Sequence, residues 1–191
     1  MQRIYRIPAR PYWDHWQVLT SFYGSMLVLG GLFVGFSTAV LAIMAGSGFA
    51  PTLAVLGLPV CAGLLLDVLG LWRHAHDMQH SSGEGKAGHY LQSTEFGKTY
   101  MARNIVLGAL LPMVAGLALG GVEGVPGVFL WGVVTLLAIV AAVIGRAIFY
   151  AVVVPTTMPG AFFWKNAGFQ QHARETGLAD MPQVGVLADA H

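Results

Sequence analysis

The stretch GVFLWGVVTLLAIVAAVIGRAIFYAVVV, residues 127–154, decides the fold of this chain, because it is long, apolar and holds one charged side chain, Arg146. A helix needs about 20 mostly apolar residues to cross the hydrocarbon core of a membrane. Three similar stretches precede it, at about 17–45, 52–72 and 102–121. The sequence therefore predicts four membrane-spanning helices.

The composition agrees with a protein embedded in a membrane. Of the 191 residues, 55% are hydrophobic and 10% are charged, against about 25% charged in ordinary soluble domains. The net charge of +1 gives no basic surface of the kind that nucleic-acid binding requires. The single cysteine, Cys61, excludes an intrachain disulfide and any thiolate metal cluster built by this chain alone.

The predicted fold class is all-α: an integral membrane four-helix bundle with an interfacial N-terminal segment and an extended C-terminal tail. Residues 1–160 form the predicted four-span domain, and residues 161–191 the predicted docking tail. Short Gly/Pro turns separate the first two spans and the last two. The connection at about 73–101 is long and polar, so we expect it outside the membrane.

The basic residues predict the orientation of the spans. All ten Lys and Arg fall on one side of a four-span chain, and the short turns on the other side carry only Glu123. All seven histidines fall on the basic side too. Because loops rich in Lys and Arg stay in the cytoplasm, we expect an inner-membrane protein with both termini cytoplasmic.

Two ionisable residues, Asp67 and Arg146, fall within predicted spans at similar depth. A charge at membrane depth costs a few kcal/mol unless it is paired or hydrated. We expect the two residues either to pair or to line one polar cavity. The alternatives are that Arg146 extends its guanidinium to the membrane surface, with Asp67 protonated or near water, and that the two form a purely structural ion pair.

Four histidines lie in LWRHAHDMQHSSGEGKAGHY, residues 71–90. His76 and His80 would share a face if the second span continued as a helix. No set of ligands that would complete a metal site is obvious nearby, although Asp77 and Glu84 are present. A haem needs an axial ligand on each side, and His15 is the only candidate partner near a span, so the sequence does not favour haem b. A quinone site needs only an apolar slot and a proton-exchanging group such as imidazole. A solvated surface loop remains the simplest alternative.

Two further stretches resemble a known family. FGKTYMARNIVLGALL (96–111) and IVAAVIGRAIFYAVVVPTTMPG (139–160) resemble the last helices of the membrane anchor subunits of dimethyl sulfoxide reductase-type complexes. Gly145–Arg146 with Phe149–Tyr150 is the most specific part, and the polar HDMQHSS segment also fits. The likeness covers roughly residues 52–160, and the four spans here correspond to the C-terminal half of an anchor with about eight.

The resemblance implies a non-catalytic subunit of a three-part oxidoreductase. A catalytic subunit would carry a molybdenum or tungsten pterin, and an iron–sulfur subunit would relay electrons. The anchor would hold both at the membrane and connect them to the quinone pool. Two alternatives are a free-standing b-type cytochrome and a small structural membrane protein.

Candidate residues follow from these expectations, and none of them is assigned a catalytic or metal-binding role. The hypothetical quinone-binding set is His76, His80, Arg146, Tyr150 and Asp67. Quinone would bind transiently, near lipid, with protons entering from the polar connection. The hypothetical partner-docking set is His74, His89, Arg103, Trp164, Lys165 and Arg174.

Overall fold

The structure, a computed structural model, describes residues 2–6, 10–81, 84–152, 171–172 and 174–177. These residues form helices and no strands. The helices are α1 (Gln2–Tyr5), α2 (Gln17–Met44), α3 (Ala50–His80), α4 (Glu84–Ser93), α5 (Gly97–Gly120) and α6 (Gly124–Ala151). The chain is thus an all-α membrane protein, because α2, α3, α5 and α6 are each long and apolar enough to cross a membrane.

The four long helices form a ring in which α2 packs on α3 and α6, and α5 packs on the same two helices. Helices α3 and α6 therefore lie across the bundle from each other. The buried positions recur every three or four residues along each helix, as helix packing requires. In α6, for example, Trp131, Val134, Ala138 and Ala141 face the core.

The polar connection expected at 73–101 is mostly helical. Helix α3 continues to His80 and is 31 residues long, or about 46 Å at about 1.5 Å per residue. Since the hydrocarbon core is about 30 Å thick, its last turns project beyond the membrane. The short α4 follows, and α5 begins at Gly97, ahead of the start at about residue 102 that hydropathy predicts. A helix can continue through polar residues once it is outside the membrane, so the end of the apolar stretch is not the end of the helix.

The α2–α3 contact depends on glycine. A Cβ atom at Gly63 would lie 2.7 Å from the carbonyl oxygen of Gly24, and one at Gly31 would lie 2.6 Å from Val60. Small residues let membrane helices approach this closely, as the Gly31/Gly35 spacing suggests. A Cβ atom at Gly116, in α5, would meet nothing within 4 Å, so this glycine is not required for a helix contact.

The two ends of the bundle differ. At one end, Glu123 accepts hydrogen bonds from the backbone N–H groups of Phe49 (3.1 Å) and Ala50 (2.9 Å), which caps the start of α3. At the other, residues 10–16 fold back over the bundle. Trp13 is buried, stacks on Phe149 and donates from Nε1 to the Phe149 carbonyl oxygen (2.8 Å). We call this second end, with residues 10–16, α4 and the adjoining ends of α3, α5 and α6, the polar end.

The domain division stays a prediction, because most of residues 161–191 lie outside the described residues. The short described part of the tail lies near α4. There the ring of His172 stacks on Tyr90, with 4.3 Å between ring centroids. This part of the tail thus contacts the chain itself.

Candidate functional site

A polar cavity lies between the long helices at the polar end. Its volume is about 50 Å³. Each of the four long helices contributes to its wall, and residues 10–16 and α4 close it. The polar residues that line it are Tyr12, Gln17, Ser21, Ser25, Asp67, His74, Gln92, Arg103 and Arg146.

Asp67 lies at the close contact between α2 and α3. The residue is 9% exposed, and a Cβ atom at Gly24 would come within 2.9 Å of its Oδ1. It makes no hydrogen bond or ion pair within the described part of the chain. Arg146 and Arg103 act on it through longer-range attraction. Of the two arrangements expected for Asp67 and Arg146, the structure has the shared cavity and not the direct pair.

Arg103 is buried inside the cavity wall and is only 5% exposed. It donates to Oδ1 of Asn104 from Nε (3.1 Å) and Nη2 (2.7 Å). A Cβ atom at Gly145 would lie 3.5 Å from its Nη1, so the guanidinium rests against α6. Arg103 was expected on the docking surface, but the early start of α5 places it within the bundle instead.

Arg146 connects the cavity to the outer surface between α2 and α6. It lines the cavity, and its Cζ lies 4.1 Å from the centroid of the Phe22 ring, a cation–π contact. Beside it, Tyr150 is 49% exposed and its hydroxyl lies 2.8 Å from the hydroxyl of Tyr5. We call this surface, formed by Tyr5, Phe22, Arg146, Phe149 and Tyr150, the α2–α6 seam.

Two buried histidines have structural roles. Nε2 of His74 lies 3.0 Å from the carbonyl oxygen of Tyr12, and since a carbonyl only accepts, this nitrogen carries the proton. Nδ1 of His15 accepts the N–H of Gln17 (3.0 Å), so its Nε2 donates to Asp77 (3.0 Å). Both ring nitrogens of His15 therefore have hydrogen-bond partners within the protein. His74, expected at the docking surface, instead fixes residues 10–16 to α3.

Tyr12 and Gln92 complete the wall of the cavity. Tyr12 lies in residues 10–16 and Gln92 in α4, and the contact between these two segments cannot be predicted from hydropathy. The Tyr12 hydroxyl donates to Oε1 of Gln92. Complete burial raises the pKa of Tyr12 above its ordinary value, so the phenol stays neutral and acts as a donor. The contact exists because residues 10–16 fold back onto α4, which the sequence does not indicate.

His76 and His80 lie on the exposed side of α3, and neither lines the cavity. The helix does continue past Trp72, so the two share a face, with 4.5 Å between their ring centroids. His80 donates from Nδ1 to the carbonyl oxygen of His76 (2.7 Å). The structure thus brings together Asp67 and Arg146 from the expected quinone set, with Tyr150 on the same helix as Arg146, and leaves the two histidines apart from them.

The remaining docking candidates are distributed between the surface and the undescribed residues. His89 is half-buried, and burial lowers its pKa, while Arg174 is exposed. Trp164 and Lys165 lie outside the described residues. In the described ranges, no three His, Cys, Asp or Glu side chains are grouped to hold a metal ion.

The size of the cavity limits what it can hold. An apolar cavity of about 150 Å³ accommodates benzene, whereas this one measures about 50 Å³. A quinone ring does not fit inside it, but a few water molecules do. The α2–α6 seam, by contrast, presents aromatic faces with hydroxyl and guanidinium donors, which is the chemistry that a quinone carbonyl requires.

No protein-family model, curated protein or solved structure matches this chain.

Proposed function

We propose that this chain is the membrane anchor subunit of a molybdenum- or tungsten-pterin oxidoreductase complex. In this role it holds an iron–sulfur subunit and a catalytic subunit at the membrane and links them to the quinone pool. The chain contributes attachment and a quinone contact, and its partners carry the redox centres. The proposal combines the resemblance of 96–111 and 139–160 to such anchors with the asymmetry of the bundle.

The asymmetry between the two ends is the observation that carries the proposal. Residues 10–16, the projecting turns of α3 and the whole of α4 build up the polar end, whereas the opposite end has only two short turns. The charged side chains of the described residues follow the same division, with Glu123 as the exception. A surface elaborated on one side suits a protein that receives a soluble partner there.

The composition of the purified complex tests this function. The full chain, tagged at a terminus and isolated from its own membranes in mild detergent, should bring with it iron, acid-labile sulfide and a pterin cofactor carrying molybdenum or tungsten. Metal analysis and the fluorescence of the oxidised pterin measure these components. A preparation free of all of them, from cells that make the chain at its normal level, would contradict the proposal.

The polar end should face the cytoplasm of an inner membrane. Nine of the ten Lys and Arg are among the described residues, in segments that meet at or lead to this end, and basic loops are retained in the cytoplasm. A fluorescent protein that matures only in the cytoplasm should therefore be fluorescent when fused after His191. Activity of a periplasm-specific phosphatase at the same position would reverse the orientation.

The quinone contact is best accommodated at the α2–α6 seam. There the exposed Tyr150 and the partly buried Arg146 offer hydrogen-bond donors beside the ring of Phe22. When bound, quinone supplies two-electron, two-proton redox chemistry. The chain supplies orientation through these donors, and Asp67 in the cavity behind Arg146 provides a place to hold a proton. His76 and His80, exposed on α3, are then available for contact with the iron–sulfur subunit.

A further inference from the structure

The cavity contains more positive than negative charge. Arg103 and Arg146 both line it, and among the described residues Asp67 is the one carboxylate in its wall. Arg103 is 5% exposed, and its hydrogen-bond acceptor is the neutral amide of Asn104. A cation without a counter-charge is unfavourable at membrane depth, and Arg103 is buried while Arg146 is partly buried. Asp67 can balance one of these two positive charges, so the lining residues leave the other without a counter-charge.

The other titratable groups of the cavity do not supply the missing negative charge. The hydroxyl of Tyr12 donates to Gln92, and burial raises its pKa, so it does not ionise to a phenolate. His74 donates from Nε2 to a carbonyl oxygen, so it contributes no negative charge in either protonation state. Within the described part of the chain, the lining thus holds two guanidinium groups against one carboxyl group.

We propose that the cavity binds a small monovalent inorganic anion of the size of chloride, held by the guanidinium groups of Arg103 and Arg146. The volume of about 50 Å³ suits such an ion with one or two waters, since a cavity of about 10–15 Å³ already holds one water molecule. The carboxylate of a lipid or the ring of a quinone is excluded by the same volume. Arginine suits this role because its charge persists at any physiological pH and its N–H donors diverge in a plane. The site shares Arg146 and Asp67 with the proposed quinone contact, but chloride binding to the isolated chain is measured without quinone and so succeeds or fails separately from the proposed function.

Equilibrium binding of radioactive chloride tests the proposal. The full chain, isolated in mild detergent with gluconate as the only other anion, should bind chloride saturably at about one ion per chain. Arg103→Gln should weaken binding at least tenfold, because it removes one of two guanidinium groups. The matched control, Arg73→Gln, removes an exposed arginine that pairs with Asp77 on α3 and should leave binding unchanged.

A second variant separates an anion site from a structural role of Arg103. At pH 9, where a carboxyl group is ionised, Asp67→Asn removes the negative charge that competes with the anion. It should tighten chloride binding by about tenfold, because unit charges several Å apart interact strongly at low dielectric. The measurement on Asp67→Asn still tests the proposal if Arg103→Gln fails to fold. The proposal is overturned if the unmodified chain binds no chloride saturably, or if Asp67→Asn leaves binding unchanged or weaker.

Discussion

Replacing Gly63 by leucine should strongly destabilise the bundle. Even a Cβ atom at this position would lie 2.7 Å from the backbone oxygen of Gly24 and 2.9 Å from side-chain atoms of Leu27 and Val28. Backbone cannot move aside as a flexible side chain can, so α2 and α3 must separate. Overpacking of this kind costs about 1–3 kcal/mol and occasionally more. We expect the upper part of that range, measured as a fall in the midpoint of thermal unfolding in detergent.

Gly116→Leu is the matched control. Gly116 also lies within a membrane-spanning helix, but a Cβ atom there meets nothing within 4 Å, so the midpoint should stay within about a degree of the unmodified chain, as surface substitutions usually do. Equal shifts for the two variants would show that glycine matters here through helix propensity and not through the α2–α3 contact. An unchanged midpoint for Gly63→Leu would contradict the close packing of α2 on α3.

The four spans could be predicted from hydropathy because a helix that crosses a membrane requires about 20 mostly apolar residues. Hydropathy does not predict where a helix ends outside the hydrocarbon core. Helix α3 therefore extends through the histidine segment to His80, and α5 begins at Gly97, ahead of the predicted start. The same extension buries Arg103, whose position near a predicted loop made it a candidate for docking.

The candidate site could be predicted only in part. Asp67 and Arg146 were recognisable as charges in apolar stretches, and they do share a cavity. Tyr12 and Gln92 were not recognisable, because they meet only after residues 10–16 fold back over α4. The histidines show the same limit, since burial of His15 and His74 depends on tertiary contacts that residue type and spacing do not encode.

Replacing Arg146 by glutamine should reduce quinone-linked electron transfer at least tenfold while leaving electron transfer to a soluble dye unchanged. Arg146 lines the cavity and contacts Phe22 at the α2–α6 seam, so its loss removes a charged donor from the proposed quinone contact. A hydrogen bond from a charged donor contributes about 1.5–3 kcal/mol, which corresponds to at least tenfold in binding. Turnover of the membrane-bound complex with a quinone analogue and with a dye measures the two rates.

The double variant His76→Gln, His80→Gln is the control for this assignment. The two rings lie against each other on the exposed side of α3 and do not line the cavity, so quinone-linked turnover per assembled complex should persist. Loss of assembly in this variant would place the pair at the docking surface. A fall in quinone-linked turnover of assembled complex in the double variant, with none in Arg146→Gln, would move the quinone contact from the seam to the end of α3.

The claim that this chain anchors an oxidoreductase complex is tested most directly by deleting its gene and measuring where the redox cofactors go. Washed membranes and the soluble fraction are assayed for pterin and for molybdenum or tungsten. In the deletion strain these should move from the membranes to the soluble fraction, and expression of the full chain should return them. If the membranes retain the same pterin and metal content without this chain, it is not the anchor.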